Sequence, residues 1–141
     1  MSHQQPDFSD VKVAILTSGG DAQGMNAAIR SCGRMVLSLG ARMFVVKWGY
    51  QGLVEGGENI QEYQWNDLSK TIHIGGTILG TARCAYFLTP EGRMMACLNL
   101  IQIGINKLVV IGGDGSLTGA DIFRKEWPDH IETLEKTGQD K

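Results

Sequence analysis

A single carboxylate, Asp114, stands between glycines at the end of an apolar run. The stretch Ile111-Gly112-Gly113-Asp114-Gly115-Ser116 directly follows Lys107-Leu108-Val109-Val110. The apolar run reads as a buried strand and the glycines as the turn that leaves it. Glycine has no Cβ and tolerates positive φ, so a phosphate chain can approach such a backbone closely. Asp114 offers the anionic oxygen that a phosphate-bound Mg²⁺ takes. Ser116 can cap the following helix, whose N-terminal amides attract anions. The loop therefore holds the parts for gripping a metal–nucleotide. The same residues also suit a plain strand-to-helix turn in which Asp114 and Ser116 only cap.

A second glycine loop follows a second apolar run. Val11 to Leu16 leads into Thr17-Ser18-Gly19-Gly20-Asp21-Ala22-Gln23-Gly24, and a helix is predicted from Met25. Gly19 and Gly24 have the spacing of the Walker A loop, but Met25 and Asn26 stand where Lys and Ser or Thr belong. Without an ammonium to reach the β- and γ-phosphates, the loop is not a P-loop NTPase motif. Adjacent Gly19 and Gly20 also break the dinucleotide pattern G-x-G-x-x-G. What remains is a phosphate cradle of another kind, or a tight turn. The third segment, Gly75-Gly76-Thr77-Ile78-Leu79-Gly80-Thr81-Ala82-Arg83-Cys84, is small and glycine-rich and ends on an arginine. The forked guanidinium of Arg83 suits phosphoryl oxygens and developing charge, and equally suits a solvated surface loop.

The elements that would position these loops alternate strand and helix. After strand Val11 to Leu16, the residues Met25, Ala28, Ile29, Cys32, Met35, Val36 and Leu39 recur at helical spacing, and Gly40 is placed to end that helix. Arg42 to Trp48 reads as a second strand. Gly49 to Gln64 reads as a glycine-rich connection without a period, and Trp65 to Ile72 as a short helix with Asn66 as its cap. Thr89-Pro90 opens a helix through its cap and first-turn proline, Met94, Cys97, Leu98 and Ile101 give it an apolar face, and Gly104 ends it. Strand Lys107 to Ile111 follows, then a helix to Trp127. Pro128 predicts a break, and Asp129 to Lys136 a further helix with a solvated face. Continuous apolar strands predict a parallel sheet covered on both faces. Right-handed crossovers then bring Gly19-Gly20 and Gly113-Asp114-Gly115 to the same sheet edge, where open α/β sheets bind ligands.

Composition sets the class. The 141 residues suffice for one core, and 43% hydrophobic with 20% charged residues are ordinary for a globular chain. Thirteen basic against fifteen acidic residues give a net charge of −2, which offers no electrostatic case for nucleic acid or a membrane surface. No apolar run approaches the ~20 residues of a membrane helix. Residues 1–10 are polar and read as a flexible tail without a signal peptide's apolar stretch. Cys32, Cys84 and Cys97 have no metal spacing and an odd count, which suits reduced thiols in the cytoplasm, and His3, His73 and His130 are scattered.

Four strings together resemble the ATP-dependent 6-phosphofructokinase family, eukaryotic type: LTSGGDAQGMNAAIR (Leu16 to Arg30), GYQGL (Gly49 to Leu53), GGTILGTARC (Gly75 to Cys84) and VVIGGDGSLTGA (Val109 to Ala120). They stand in the family's order and spacing from Val11 onward. The resemblance implies an α/β fold of three layers, a mostly parallel Rossmann-like sheet with helices on both faces. It implies transfer of the ATP γ-phosphoryl, with Mg²⁺, to fructose 6-phosphate, giving fructose 1,6-bisphosphate in glycolysis by an allosteric, homotetrameric cytoplasmic enzyme. It implies Gly19, Tyr50, Arg83, Cys84, Gly113, Asp114, Gly115 and Ser116 at the nucleotide, Asp114 at Mg²⁺, Arg83 steadying the transition state, and Arg30 and Arg34 at an effector phosphate. Gly115 resembles the ATP-using members, since pyrophosphate-using members carry Asp there, although a turn needing positive φ would also select glycine. The family's catalytic aspartate lies in a T/S-I-D-N-D string absent from this sequence, as are the residues for the sugar phosphate. Residues 11–141 are thus expected to be the N-terminal ATP-binding part of a larger catalytic domain, inactive by themselves. A NAD or lipid kinase also carries a Gly-Gly-Asp-Gly turn, but lacks the loops at Ser18 to Gly24 and Gly75 to Cys84. A non-catalytic nucleotide-binding fragment is the other reading.

Overall fold

The computed structural model describes residues 6–139. Residues 1–5 of the expected tail lie outside that range. Within it, the backbone N–H of Ser9 donates to Asp7 Oδ1 at 2.9 Å and that of Val11 to the Phe8 carbonyl at 2.9 Å, so the chain turns before entering the sheet.

Four strands and four helices follow: β1 (Lys12–Thr17), α1 (Met25–Ser38), β2 (Arg42–Val46), α2 (Gly49–Glu55), β3 (Ile60–Tyr63), α3 (Pro90–Ile103), β4 (Lys107–Ile111) and α4 (Asp114–Thr137). Single 3-10 turns lie at Gly57–Asn59, Trp65–Leu68 and Tyr86–Leu88. The sheet order is β3-β2-β1-β4. Strand β1 runs parallel to both neighbours, Ala14 standing opposite Phe44 on one side and Leu108 on the other, while β3 runs antiparallel to β2. Strand side chains alternate between two layers. Ala14, Leu16, Phe44 and Val46 pack with Leu53, Phe87, Leu100, Phe123 and Leu134 of the α2, α3 and α4 side. Ile15, Met43 and Val45 pack with Ile29, Leu68 and Leu79 on the α1 side. This is the three-layer, mostly parallel α/β arrangement expected from the sequence.

Glycine and cap chemistry sets the element ends where it was expected to. Thr89 accepts a hydrogen bond from the Gly92 N–H at 3.1 Å with Pro90 in the first turn, and Gly40 and Gly104 take φ of +81° and +85° beyond α1 and α3.

Three predicted elements are corrected. Gly49 to Gln64 is not a featureless connection but contains α2 and β3. Gly52 is required there, because a Cβ on it would come within 1.7 Å of the Lys47 carbonyl oxygen. The helix predicted over Trp65 to Ile72 shrinks to one 3-10 turn ending at Leu68, capped by Gln64 rather than Asn66. Pro128 does not break α4, which is continuous over 24 residues. Phe123 and Trp127 before the proline, and His130 and Leu134 after it, all reach the same interior, so packing offsets the lost backbone bond.

Candidate nucleotide-binding site

The loops after β1 and β4 are joined. Because these strands are neighbours with Thr17 opposite Ile111, their following loops leave the sheet side by side. The Ser18 N–H donates to the Ile111 carbonyl at 2.9 Å. The Ser116 hydroxyl donates to the Ser18 hydroxyl at 3.0 Å, and both side chains are buried. Gly112 permits this approach, since a Cβ there would meet the Ser18 carbonyl oxygen at 2.5 Å. Ser116, expected to cap α4, does not. The helix starts from Gly113 with no side-chain cap, and the hydroxyl of Ser116 is turned to Ser18 instead. The first-turn N–H groups of α4 are left to meet an anion.

Three glycines on this surface have no structural need to be glycine. A Cβ on Gly20, Gly113 or Gly115 would meet nothing within 4 Å, and none of the three has positive φ. Gly115 lies inside the first turn of α4, so a demand for positive φ does not select it. These residues leave backbone uncovered toward open space, which a phosphate chain can use. Asp114 stands exposed between two of them. Among the described residues no group of three or more His, Cys, Asp and Glu is placed to hold a metal. A cation here would rest on Asp114 and on ligand phosphates, which matches the habit of Mg²⁺ of taking one or two carboxylates plus phosphate oxygens.

Tyr50 lies beneath this turn rather than at the surface. Its hydroxyl donates to the Ser116 carbonyl at 2.6 Å, and its ring stacks on Phe87 with centroids 4.0 Å apart. Burial pushes its phenol up to about 12.

The segment carrying Arg83 is held at both ends. On the entry side, Thr17 shares a hydrogen bond with the Thr77 hydroxyl at 2.7 Å and donates to the Gly80 carbonyl at 3.0 Å. Asn26 spans the same segment with its side-chain amide. On the exit side, Phe87 is fixed under Tyr50. Arg83 is exposed between these anchors, and Cys84 is half-buried against the core. Thr17, Ser18 and Asn26 were not singled out from sequence. Asn26 carried a signal, being a polar residue on the stripe Met25, Asn26, Ile29 and Gly33 that helical spacing turns inward.

Arg30 and Arg34 stand one turn apart on α1. Arg34 lies nine residues beyond the start of the helix, roughly 13 Å along it. Its guanidinium sits 3.9 Å over the Trp65 ring and donates to the Trp65 carbonyl.

Similarity to known proteins agrees with this arrangement. The family model for phosphofructokinase matches residues 12–137. The chain is 58% identical to the liver-type ATP-dependent 6-phosphofructokinase of Mus musculus, and 55% identical to the platelet type of Homo sapiens, over 127 residues in each case. It superposes on the structure of phosphofructokinase from Saccharomyces cerevisiae with a TM-score of 0.89 at 51% identity, covering 92% of this chain and 17% of that one. The T-state structure of the Pichia pastoris enzyme gives 0.82 at 55% identity, covering 84% of this chain and 13% of that one. The matched region is 90% of this chain and 16% of each of the two curated relatives. With the family model matched over residues 12–137 and this level of identity and superposition, the chain belongs to the phosphofructokinase family.

Proposed function

We propose that residues 11–141 form the nucleotide-gripping part of an ATP-dependent 6-phosphofructokinase. The observation that carries this reading is the open backbone of Gly113 and Gly115 around exposed Asp114, at the uncapped start of α4. Neither packing nor backbone conformation accounts for glycine at these positions, and a polyphosphate does. In this reading Gly19, Gly113 and Gly115 let the phosphates reach the main chain, and first-turn amides of α4 meet their charge. Ser116 holds the two loops in register, and Asp114 takes the metal side of the nucleotide. Mg²⁺, when bound, offsets charge on the phosphate oxygens. Tyr50 acts from below by fixing the first turn of α4, and Cys84 flanks the nucleotide beside Arg83. Arg83 meets phosphoryl oxygens, most strongly as charge shifts in transfer to fructose 6-phosphate.

Arg30 and Arg34 are assigned to an effector phosphate, which Arg34 would grip by leaving the Trp65 ring. The edge of β4, unpaired among the described residues, fits a surface that packs against further protein, and a homotetramer is part of this reading. A cytoplasmic location suits the three free thiols. No helix among the described residues is long and apolar enough to cross a membrane.

Titration calorimetry of the purified chain with Mg·ATP tests the grip, and a coupled assay with fructose 6-phosphate tests the chemistry. Mg·ATP binding is expected, without appreciable turnover. General-base assistance alone is worth about 10²–10⁴ in rate, and the sequence has no I-D-N-D aspartate to supply it. Absence of Mg·ATP binding by the folded chain would overturn the assignment of these loops. Turnover at an intact enzyme's rate would overturn the assignment of the catalytic base.

A further inference from the structure

We infer that Asn26 is the positioning residue that sets where Arg83 stands. This inference rests on the nucleotide reading above. Asn26 is 1% exposed, yet its side chain makes no bond within its own helix. Its Nδ2 donates to the Ile74 carbonyl at 2.9 Å, and its Oδ1 accepts from the Ile78 N–H at 2.7 Å. Its backbone N–H donates to the Gly76 carbonyl at 3.2 Å. One residue therefore binds three points of a five-residue span.

The span has no regular structure of its own, so these bonds replace the partners that a strand or helix would provide. Neighbouring groups complete the clamp. Thr77 receives the Leu79 N–H at 3.1 Å while bonded to Thr17, and Trp48 donates its N–H to the Leu79 carbonyl at 2.9 Å. At Gly76 a Cβ would come within 2.3 Å of Asp21 Oδ1, so the span lies pressed against the β1 loop.

Beyond Gly80 the character changes. Among the described residues, 81–84 make no hydrogen bond, and the chain is next fixed at the 3-10 turn Tyr86–Leu88 by the Phe87–Tyr50 stack. Arg83 thus rides on a short strap between two anchors. One anchor is Phe87, beneath the first turn of α4, and the other is the span that Asn26 holds, which ends at Gly80 where the carbonyl takes the Thr17 hydroxyl. A guanidinium acts on phosphate through direction as well as charge, so the anchors govern its usefulness. The amide is the suitable group because it donates and accepts at once. Leucine, of similar size, makes neither the bond to Ile74 nor the bond from Ile78.

The test uses the full chain and the variants Asn26→Leu, Arg83→Ala and the double variant. Hydrogen exchange at the Ile78 and Leu79 amides is compared with Mg·ATP affinity by calorimetry. In Asn26→Leu these amides should exchange about tenfold faster or more. Mg·ATP affinity should fall about five- to tenfold with Arg83 present and less than twofold in the Arg83→Ala background. Thr77→Val, which removes the bridging hydroxyl without touching Asn26, serves through exchange at Leu79 if Asn26→Leu does not fold, and should show the same dependence on Arg83. Unchanged exchange at Ile78 would overturn the clamp. An equal loss of affinity in both backgrounds would overturn its action through Arg83 and leave Asn26 a plain structural residue. If the folded wild-type chain binds no Mg·ATP, the nucleotide reading fails, and the exchange result alone still decides for or against the clamp.

Discussion

The hydroxyls of Ser18 and Ser116, 98 residues apart in the chain, meet at 3.0 Å inside the protein and tie the two glycine loops together. Ser18→Ala leaves the Ser116 hydroxyl buried without that acceptor, at an expected cost of about 1–3 kcal/mol. Adding Ser116→Ala should cost less than the two single changes summed, because no stranded hydroxyl remains. Urea denaturation of the three variants measures this, and strict additivity would deny the pair its role.

A second bond steadies the same turn from below, the one from Tyr50 to the Ser116 carbonyl. Tyr50→Phe keeps the stack on Phe87 and removes only this bond, so a loss of about 1 kcal/mol is expected. Mg·ATP affinity should weaken with it. Absorbance titration gives an independent check. The phenol of Tyr50 is held up to about 12, so the folded protein should show one late-ionising tyrosine that the variant lacks.

These ties explain what could and could not be read from sequence. The strands β1 and β4 and the helices α1 and α3 announce themselves through apolar runs, period 3.6 and caps such as Thr89. The glycine loops announce themselves through Gly112 to Gly115. By contrast, α2 is seven residues long and carries two glycines, selected by close approaches to Thr17 and Lys47 that only the fold creates. β3 is a short edge strand with Gln61 and Glu62 exposed, so it lacks an apolar run. Pro128 misleads because the packing of Trp127 and His130 outweighs a local rule. Tyr50 is visible as an aromatic near the site, but its inward direction depends on Phe87 and Ser116, far along the chain.

Glu126 joins α4 to α3. The buried guanidinium of Arg93 donates to both its oxygens, at 2.6 and 2.8 Å, and to the Phe87 carbonyl at 3.0 Å, while His130 Nε2 lies 3.0 Å from Glu126 Oε2. Hydrogen bonds from Arg93 first, and from His130 second, hold the Glu126 carboxyl below its ordinary 4.5 despite partial desolvation. A lowered folded value means that the stabilisation is present above the unfolded value and is lost as pH falls through the folded one. Glu126→Gln should therefore be less stable than wild type at neutral pH, with the gap closing below about pH 4.5. A gap independent of pH would reject the pair. Arg93→Met should cost more, toward the lower end of the roughly 3–5 kcal/mol seen when one partner of a buried pair is removed, because the Glu126 side chain keeps 28% exposure.

The free edge of β4 carries a different expectation. Among the described residues this strand pairs only with β1, and Leu108 and Val110 line a groove of about 530 Å³ with Leu117, Phe123 and Trp127. An unpaired edge beside an apolar groove favours self-association. Sedimentation of the chain over a range of concentrations should show it. Leu117→Glu places a charge at a half-exposed groove position and should shift the population toward monomer. A wild-type chain that stays monomeric at every concentration would end this expectation.

On the proposed reading the donor is ATP rather than pyrophosphate, and Gly115 is the position expected to decide it. Its backbone is helical, its neighbourhood is empty to 4 Å, and it follows directly after exposed Asp114. An aspartate there meets no clash and no forbidden φ, and a carboxylate in the first turn of a helix is favoured by the dipole. Gly115→Asp should therefore fold as well as wild type. The carboxylate would nonetheless fill the space open to a phosphate and set a second negative charge against it. Like charges about 4 Å apart cost about 1 kcal/mol in water and more in a cleft from which water is excluded. Mg·ATP affinity should fall at least tenfold while the thermal midpoint stays within a few degrees. Unchanged affinity in the folded variant would remove Gly115 from the nucleotide's path. A lost fold would instead show that glycine is there for the helix start, contrary to its open surroundings.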